Sequence, residues 1–263
     1  MIPGYRTVDL SLPLAESLPA SWPGAVPFRH PIYDWFESRD TELGPLVSKG
    51  PFHTRWLMLA EHTGTHFDAP THWVPPPGSG LPGAGPAGAT STDRVPLEQL
   101  SGGAVVVDVA ATVGRAAPGE SPRIEVAELE AFEAEHGRFE AGEIVLLRTG
   151  WDERWVEGPA GRGYVVDCVF GRSPGWPAPT AEAVELLADR GVRCLGVDTP
   201  SVGACEDGYP AHFAGLSRGL VYVEGLSRLG DLPVRGAQFV FLPISLRGGS
   251  GAPGRAVALL PEG

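Results

Sequence analysis

Three histidines and an aspartate fall within eleven residues, His62-Thr-Gly-Thr-His66-Phe-Asp68-Ala-Pro-Thr-His72, and no other stretch restricts the fold as tightly. Imidazole nitrogens and carboxylate oxygens are the donors that zinc, manganese and similar divalent ions accept, and a catalytic site needs about three of them plus an open position. In an extended strand His62 and His66 would lie roughly 13 Å apart, too far to share an ion held at about 2 Å from each nitrogen. The chain therefore has to turn between them. Gly64 has the backbone freedom for such a turn, and Pro70 pushes Ala69 into an extended conformation. We expect a strand ending near His62, then a loop that gathers His62, His66 and Asp68 on one centre. His72, past the proline, suits a proton carrier beside that centre, because an imidazole titrates near pH 6.5. The plainer alternative is a polar turn with hydrogen-bonded structural histidines.

This string resembles the H-x-G-T-H-x-D-x-P-x-H signature of the cyclase family, which includes bacterial kynurenine formamidases, isatin hydrolases and proteins assigned to polyketide ring closure. Every fixed position of the signature is present. Further segments similar to the family are Asp9-Leu10-Ser11, Arg148-Thr149-Gly150-Trp151 and Asp198-Thr199-Pro200-Ser201, so the resemblance spans most of the chain. It implies His62, His66 and Asp68 as metal ligands and His72 as the acid-base residue. The implied fold is α/β, a single layered domain over residues 1–263 of the swivelling β/β/α type, assembled as a homodimer or larger oligomer. In formamidases of the family a His and a Glu twelve residues apart bind a second ion, with the motif's aspartate bridging, and His212 and Glu224 match those positions. Spacing alone would leave this pair a satisfied histidine and a solvent-facing acid.

With 263 residues, 43% of them hydrophobic, the chain can bury a sizeable core. Its formal charge of -12 lacks the basic patches that nucleic acid or an anionic membrane surface requires, so the expected partner is a small molecule. Cys168, Cys194 and Cys205 are odd in number and show neither metal nor redox spacing, which predicts no disulfide framework and a reducing cytoplasm. The N-terminus lacks a basic start followed by an apolar stretch, and no apolar run is long enough to span a bilayer.

Along the chain, strands are expected at Arg6 to Leu10, Arg55 to Glu61, Ala104 to Val109, Glu143 to Thr149, Cys194 to Val197, Leu220 to Val223, Gln238 to Leu242 and Arg255 to Leu260. Ile124 to His136 reads as an amphipathic helix stopped by Gly137, Thr180 to Arg190 as a helix capped by Thr180 and ended by Gly191, and Ala214 to Ser217 as helical. Alternation of strands and helices in the second half points to a layered α/β architecture. The run from Trp73 to Pro86 is too rich in proline and glycine for helix or central strand, and serves either as a lid or as a surface insertion. Trp22, Trp35 and Trp73 are candidate substrate-facing aromatics, with ordinary packing as the alternative for the first two. Arg148 either binds a substrate carboxylate or pairs with an internal acid at the end of its strand.

The expected activity is metal-dependent hydrolysis of a small amide, lactam or lactone, N-formylkynurenine- or isatin-like, by a metal-bound hydroxide with His72 as acid-base. A donor set of nitrogen and oxygen suits Zn2+ or Mn2+, as one ion or two. Ring closure or dehydration in a biosynthetic pathway, and metal-stabilised binding without turnover, are the alternatives. The lysine-bearing phosphate loop G-x-x-x-x-G-K-[ST] does not occur.

Overall fold

Short β-branched runs flanked by turns give strands buried on both faces, and these build the centre of the molecule. The computed structural model describes residues 3–36 and 51–262. Among them the strands are β1 (Tyr5–Asp9), β2 (Ile32–Trp35), β3 (His53–Arg55), β4 (His66–Asp68), β5 (Ser101–Asp108), β6 (Arg123–Ile124), β7 (Ile144–Arg148), β8 (Ala178–Pro179), β9 (Cys194–Val197), β10 (Val221–Glu224), β11 (Gln238–Pro243) and β12 (Gly251–Pro261). The α-helices are α1 (Val126–His136), α2 (Val166–Val169), α3 (Ala181–Asp189) and α4 (Tyr209–Leu216).

β5, β7, β9 and β10 are parallel neighbours, and β4 runs antiparallel to β10. The first residues of β12 pair with the other edge of β4, while the rest of β12 carries β11 and β1. The ring β12-β11-β5-β7-β9-β10-β4 thus closes on itself, giving a mixed α/β fold around a seven-stranded, barrel-like sheet. Alternation along each strand separates two cores. Phe67, Val106, Leu146, Val223 and Phe239 fill the inside of the ring. Val107, Leu147, Val197 and Tyr222 face outward against Leu129 and Phe132 of α1 and Val184 and Leu187 of α3. These two helices are also tied by Arg190, which donates to both carboxylate oxygens of Glu133 at 2.8 and 2.9 Å.

Most expected elements are present, with informative differences. α3 is capped as predicted, Thr180 Oγ accepting from Ala183 N at 3.2 Å, and Gly191 follows at a φ of +80°. α1 starts at Val126 because Ile124 is spent on β6, which pairs with β8. α4 starts five residues before the expected Ala214, with Pro210 in its first turn, where a missing amide donor costs nothing. Of the expected strand from Arg55 to Glu61 only Arg55 is in a strand, at the end of β3, which pairs with β2. Beyond it Trp56, Leu57 and Met58 are exposed. Within the motif the order is reversed: the turn comes first, and His66–Asp68 is itself a strand of the ring. No helix among the described residues is long and apolar enough to cross a membrane.

Candidate metal centre

Strand alternation builds half of the site. Phe67 points into the ring, so His66 and Asp68 project from the opposite face of β4. On β10, Glu224 lies opposite His66 and Tyr222 opposite Asp68, while Val223 points inward, so Glu224 shares the face of the motif residues. α4 covers that face: the Tyr222 hydroxyl donates to Ala211 O at 2.6 Å, and His212, one residue on, is buried against Glu224. The turn before β4 brings in His62. Gly64 takes a φ of +62°, and Thr65 Oγ donates to Gly225 O at 2.5 Å while accepting from Leu12 N at 2.8 Å, which anchors the turn to two distant segments. After Asp68, Ala69 is extended at ψ 155°, and a 3-10 turn over Pro70–His72 folds His72 back until its ring stacks on His62 at 3.9 Å.

Asp68 is the hub. Its Oδ1 lies 2.7 Å from His62 Nδ1 and 3.5 Å from His66 Nε2. Its Oδ2 lies 3.5 Å from His212 Nε2 and 3.9 Å from His72 Nε2, and has no hydrogen-bond partner although fully buried. Glu224 completes the cluster, with Oε2 at 3.3 Å from His66 Nε2 and Oε1 at 3.2 Å from His212 Nε2. All five residues expected as ligands, and His72, are therefore brought together. Donor atoms of His62, Asp68 and His72 converge as one group, and those of His66, Asp68 and Glu224 as another, so the expected set of His62, His66 and Asp68 is divided between the two and His212 falls in neither. A buried carboxylate oxygen without a donor, at the meeting point of two such groups, fits a divalent cation well: nitrogen and oxygen donors from side chains held on separate elements are what such an ion takes.

The charges around the hub are mutually dependent. Burial opposes ionisation of Asp68, but His72, His62 and His212 outweigh it and hold the carboxyl well below the usual range. Burial would lower His212, yet its contacts with Asp68 and Glu224 push it up to about 10. His72 goes the other way, down to about 4, chiefly through burial, with Asp68 opposing and His62 reinforcing the shift. Its imidazole is therefore neutral at ordinary pH.

A cavity of about 410 Å3 opens over this cluster, bordered by His62, His72, His212, Trp22 and Trp73. Trp73 stacks on His212 at 4.8 Å, and its indole N–H is buried without a partner. The rest of the Pro/Gly-rich run passes over α4, where Gly83 lies against the rings of Phe213 and Tyr209. Trp35 is outside the cavity wall, on the exposed β2 with its ring against His53. Arg148 is outside it too, paired at the end of β7 with Asp108 of neighbouring β5. Three neighbours were not anticipated. Glu61 accepts from Ser250 N at 2.8 Å and Oγ at 2.6 Å, and these donors outweigh its burial to hold its carboxyl below the ordinary value. The Tyr164 hydroxyl, buried without a partner, borders a second cavity of about 20 Å3 beside His62 and His66, room for a single water. Glu61 could have been suspected from its adjacency to His62; Ser250 and Tyr164 carry no local signal.

The family model for Cyclase matches residues 8–204. The chain belongs to the Cyclase family. The isatin hydrolase of Roseibium aggregatum is 33% identical over 223 residues, covering 82% of this Cyclase-family chain and 78% of that protein. The kynurenine formamidase of Salinibacter ruber is 34% identical over 202 residues, covering 76% and 77%. Among solved structures, isatin hydrolase A from Ralstonia solanacearum matches with a TM-score of 0.75 at 33% identity, over 97% of this chain and 92% of that one. These relatives are named for hydrolytic activities, and this member of the Cyclase family is likewise a hydrolase.

Proposed function

We propose that the chain hydrolyses a small amide, lactam or lactone of the N-formylkynurenine or isatin kind, in a metal-dependent reaction, and that residues 1–263 act as one domain of the swivelling β/β/α type. The observation that carries the reading is the buried, partnerless Asp68 Oδ2 at the centre of four imidazoles and Glu224, under a cavity of about 410 Å3. Volumes of this order suit a small aromatic substrate. His62, His66 and Asp68 would hold one ion, zinc or manganese, and His212 and Glu224, sharing Asp68, a second. A divalent ion at this position supplies Lewis acidity, polarising a carbonyl and making water acidic enough to ionise near neutral pH.

The remaining work falls to the side chains. His72 Nε2 accepts a proton from the attacking water as the new C–O bond forms, and returns it to the departing nitrogen or oxygen as the old bond breaks. Stacking on His62 restrains the angle at which the His72 ring enters the cavity. Trp22 and Trp73 together exclude water and offer flat surfaces to an aromatic ring.

The direct test is elemental analysis of purified protein together with hydrolysis of N-formylkynurenine and isatin before chelation, after it and after metal return. Metal-dependent turnover of either supports the proposal. His72→Ala should keep its metal and lose activity by about 10²–10⁴-fold, the usual worth of a general base, and a fully active variant would refute that role. His212→Ala should lower the metal content, and an unchanged content would refute the second ion.

A further inference from the structure

Both ring nitrogens of His62 have partners. Its Nδ1 faces Asp68 Oδ1 at 2.7 Å, and its other nitrogen, Nε2, faces Ser250 Oγ at 3.0 Å. One face stacks on His72, and Cε1 lies against Gly251. Ser250 comes from the far end of the chain, outside the residues matched by the family model. Its own hydroxyl lies 2.6 Å from Glu61 Oε2, and its amide donates to the same oxygen at 2.8 Å.

Counting protons along this line decides the state of the ring. A carboxylate only accepts, so the single hydroxyl proton of Ser250 points at Glu61 and a lone pair is what Ser250 turns toward His62. Nε2 must then carry the N–H. An imidazole that binds a metal ion has only one such hydrogen, so in that state Nδ1 is left as a lone pair beside a carboxylate oxygen 2.7 Å away. Two acceptors at that distance repel each other unless a proton or a metal cation lies between them.

Building on the metal-dependent reading above, we propose that Glu61 and Ser250 are positioning residues: they fix His62 in the tautomer protonated at Nε2, so that Nδ1 and Asp68 Oδ1 together face a divalent cation. Outer hydrogen bonds of this kind fix ring orientation and raise the basicity of the ligating nitrogen. Ser250 is here interposed between the carboxylate and the imidazole, and the same oxygen of Glu61 also accepts its amide, so that one carboxylate orders both the hydroxyl and the turn that carries it.

The test uses Zn2+ alone as probe. In protein labelled with 15N at histidine and loaded with zinc, two-bond proton–nitrogen correlations report which ring nitrogen carries hydrogen, and His62 should show Nε2–H with Nδ1 bound. Zinc affinity by chelator competition should fall about 10–100-fold in Ser250→Ala and recover in Ser250→Thr, which restores a hydroxyl. Should Ser250→Ala fail to fold, Glu61→Gln provides the same readouts, since an amide can turn a donor toward Ser250 and release the lock. Zinc bound through Nε2 of His62, or affinities of the Ala and Gln variants within about twofold of the parent where outer-sphere losses of tenfold or more are expected, would overturn the proposal. Failure of the parent itself to bind zinc would instead refute the underlying metal reading, and this proposal with it.

Discussion

Gly251 offers a sharp test of how the closed sheet holds its candidate metal centre. It is the first residue of β12, opposite Asp68 of β4, and it has no side chain at a place where one would strike the site. A Cβ there would overlap His62 Cε1 and come within 2.9 Å of His62 Nδ1 and 2.7 Å of Phe67 O, where ordinary contact begins at 3.4 Å. The ring or the strand must then retreat by about half an ångström or more, the tolerance within which a preorganised site keeps its function. Asp68, Ser250 and the His72 face restrict how His62 can retreat, so that the ring can yield only toward the cavity and away from its present contacts. Gly251→Ala should therefore cost about 10–100-fold in zinc affinity, the loss typical of a misdirected ligand. Overpacking of about 1–3 kcal/mol should also lower Tm by a few to about ten degrees. Chelator competition and thermal melts of the metal-free protein measure the two effects. Gly103→Ala, where an added Cβ meets nothing within 4 Å, is the control and should change neither. Zinc affinity within about twofold of the parent, with Tm unmoved, would refute the reasoning, because the steric displacement would then have no consequence at the ligand.

Asp198 is fully buried and accepts from Thr149 N at 2.9 Å, Thr149 Oγ at 2.5 Å and Gly150 N at 2.7 Å. Asp198→Ala strands two buried donors and one half-buried donor and should cost about 3–6 kcal/mol, read as a fall in Tm of roughly ten degrees or more; a fall of about one degree would refute it. For Glu133 the Arg190 hydrogen bonds outweigh burial and hold the carboxyl below its usual 4.5. A depressed carboxyl contributes stability above its unfolded pKa and loses it as pH falls through the folded one. The Tm gap between parent and Glu133→Gln, worth about 1 kcal/mol at pH 7, should therefore close below about pH 4.5, and a gap independent of pH would contradict the assignment.

The eleven residues from His62 to His72 determined much by themselves. Donor chemistry and reach demanded a turn, which Gly64 provides at a positive φ, and Pro70 set Ala69 extended so that the chain could fold His72 back. A single hydrophobic residue between His66 and Asp68 sends both to one face of whatever strand contains them. Buried runs such as those of β7 and β9, and the caps of α3, were legible for the same reason, since each depends on neighbours a few residues apart.

What the tertiary structure decided is everything that depends on ring closure. The pairing of β4 with both β10 and β12 brings Glu224, Ser250 and Gly251 to the motif from more than 150 residues away, and no local pattern encodes that register. The same closure joins β5 to β7 and gives Arg148 its partner, Asp108, away from the cavity. Trp56, Leu57 and Met58 make the converse point: an apolar run suggests a buried strand, but only a second layer of protein can bury it. Periodicity sets which side chains share a face; which faces meet is decided by long-range pairing, whose energy is gained only once the whole sheet has closed.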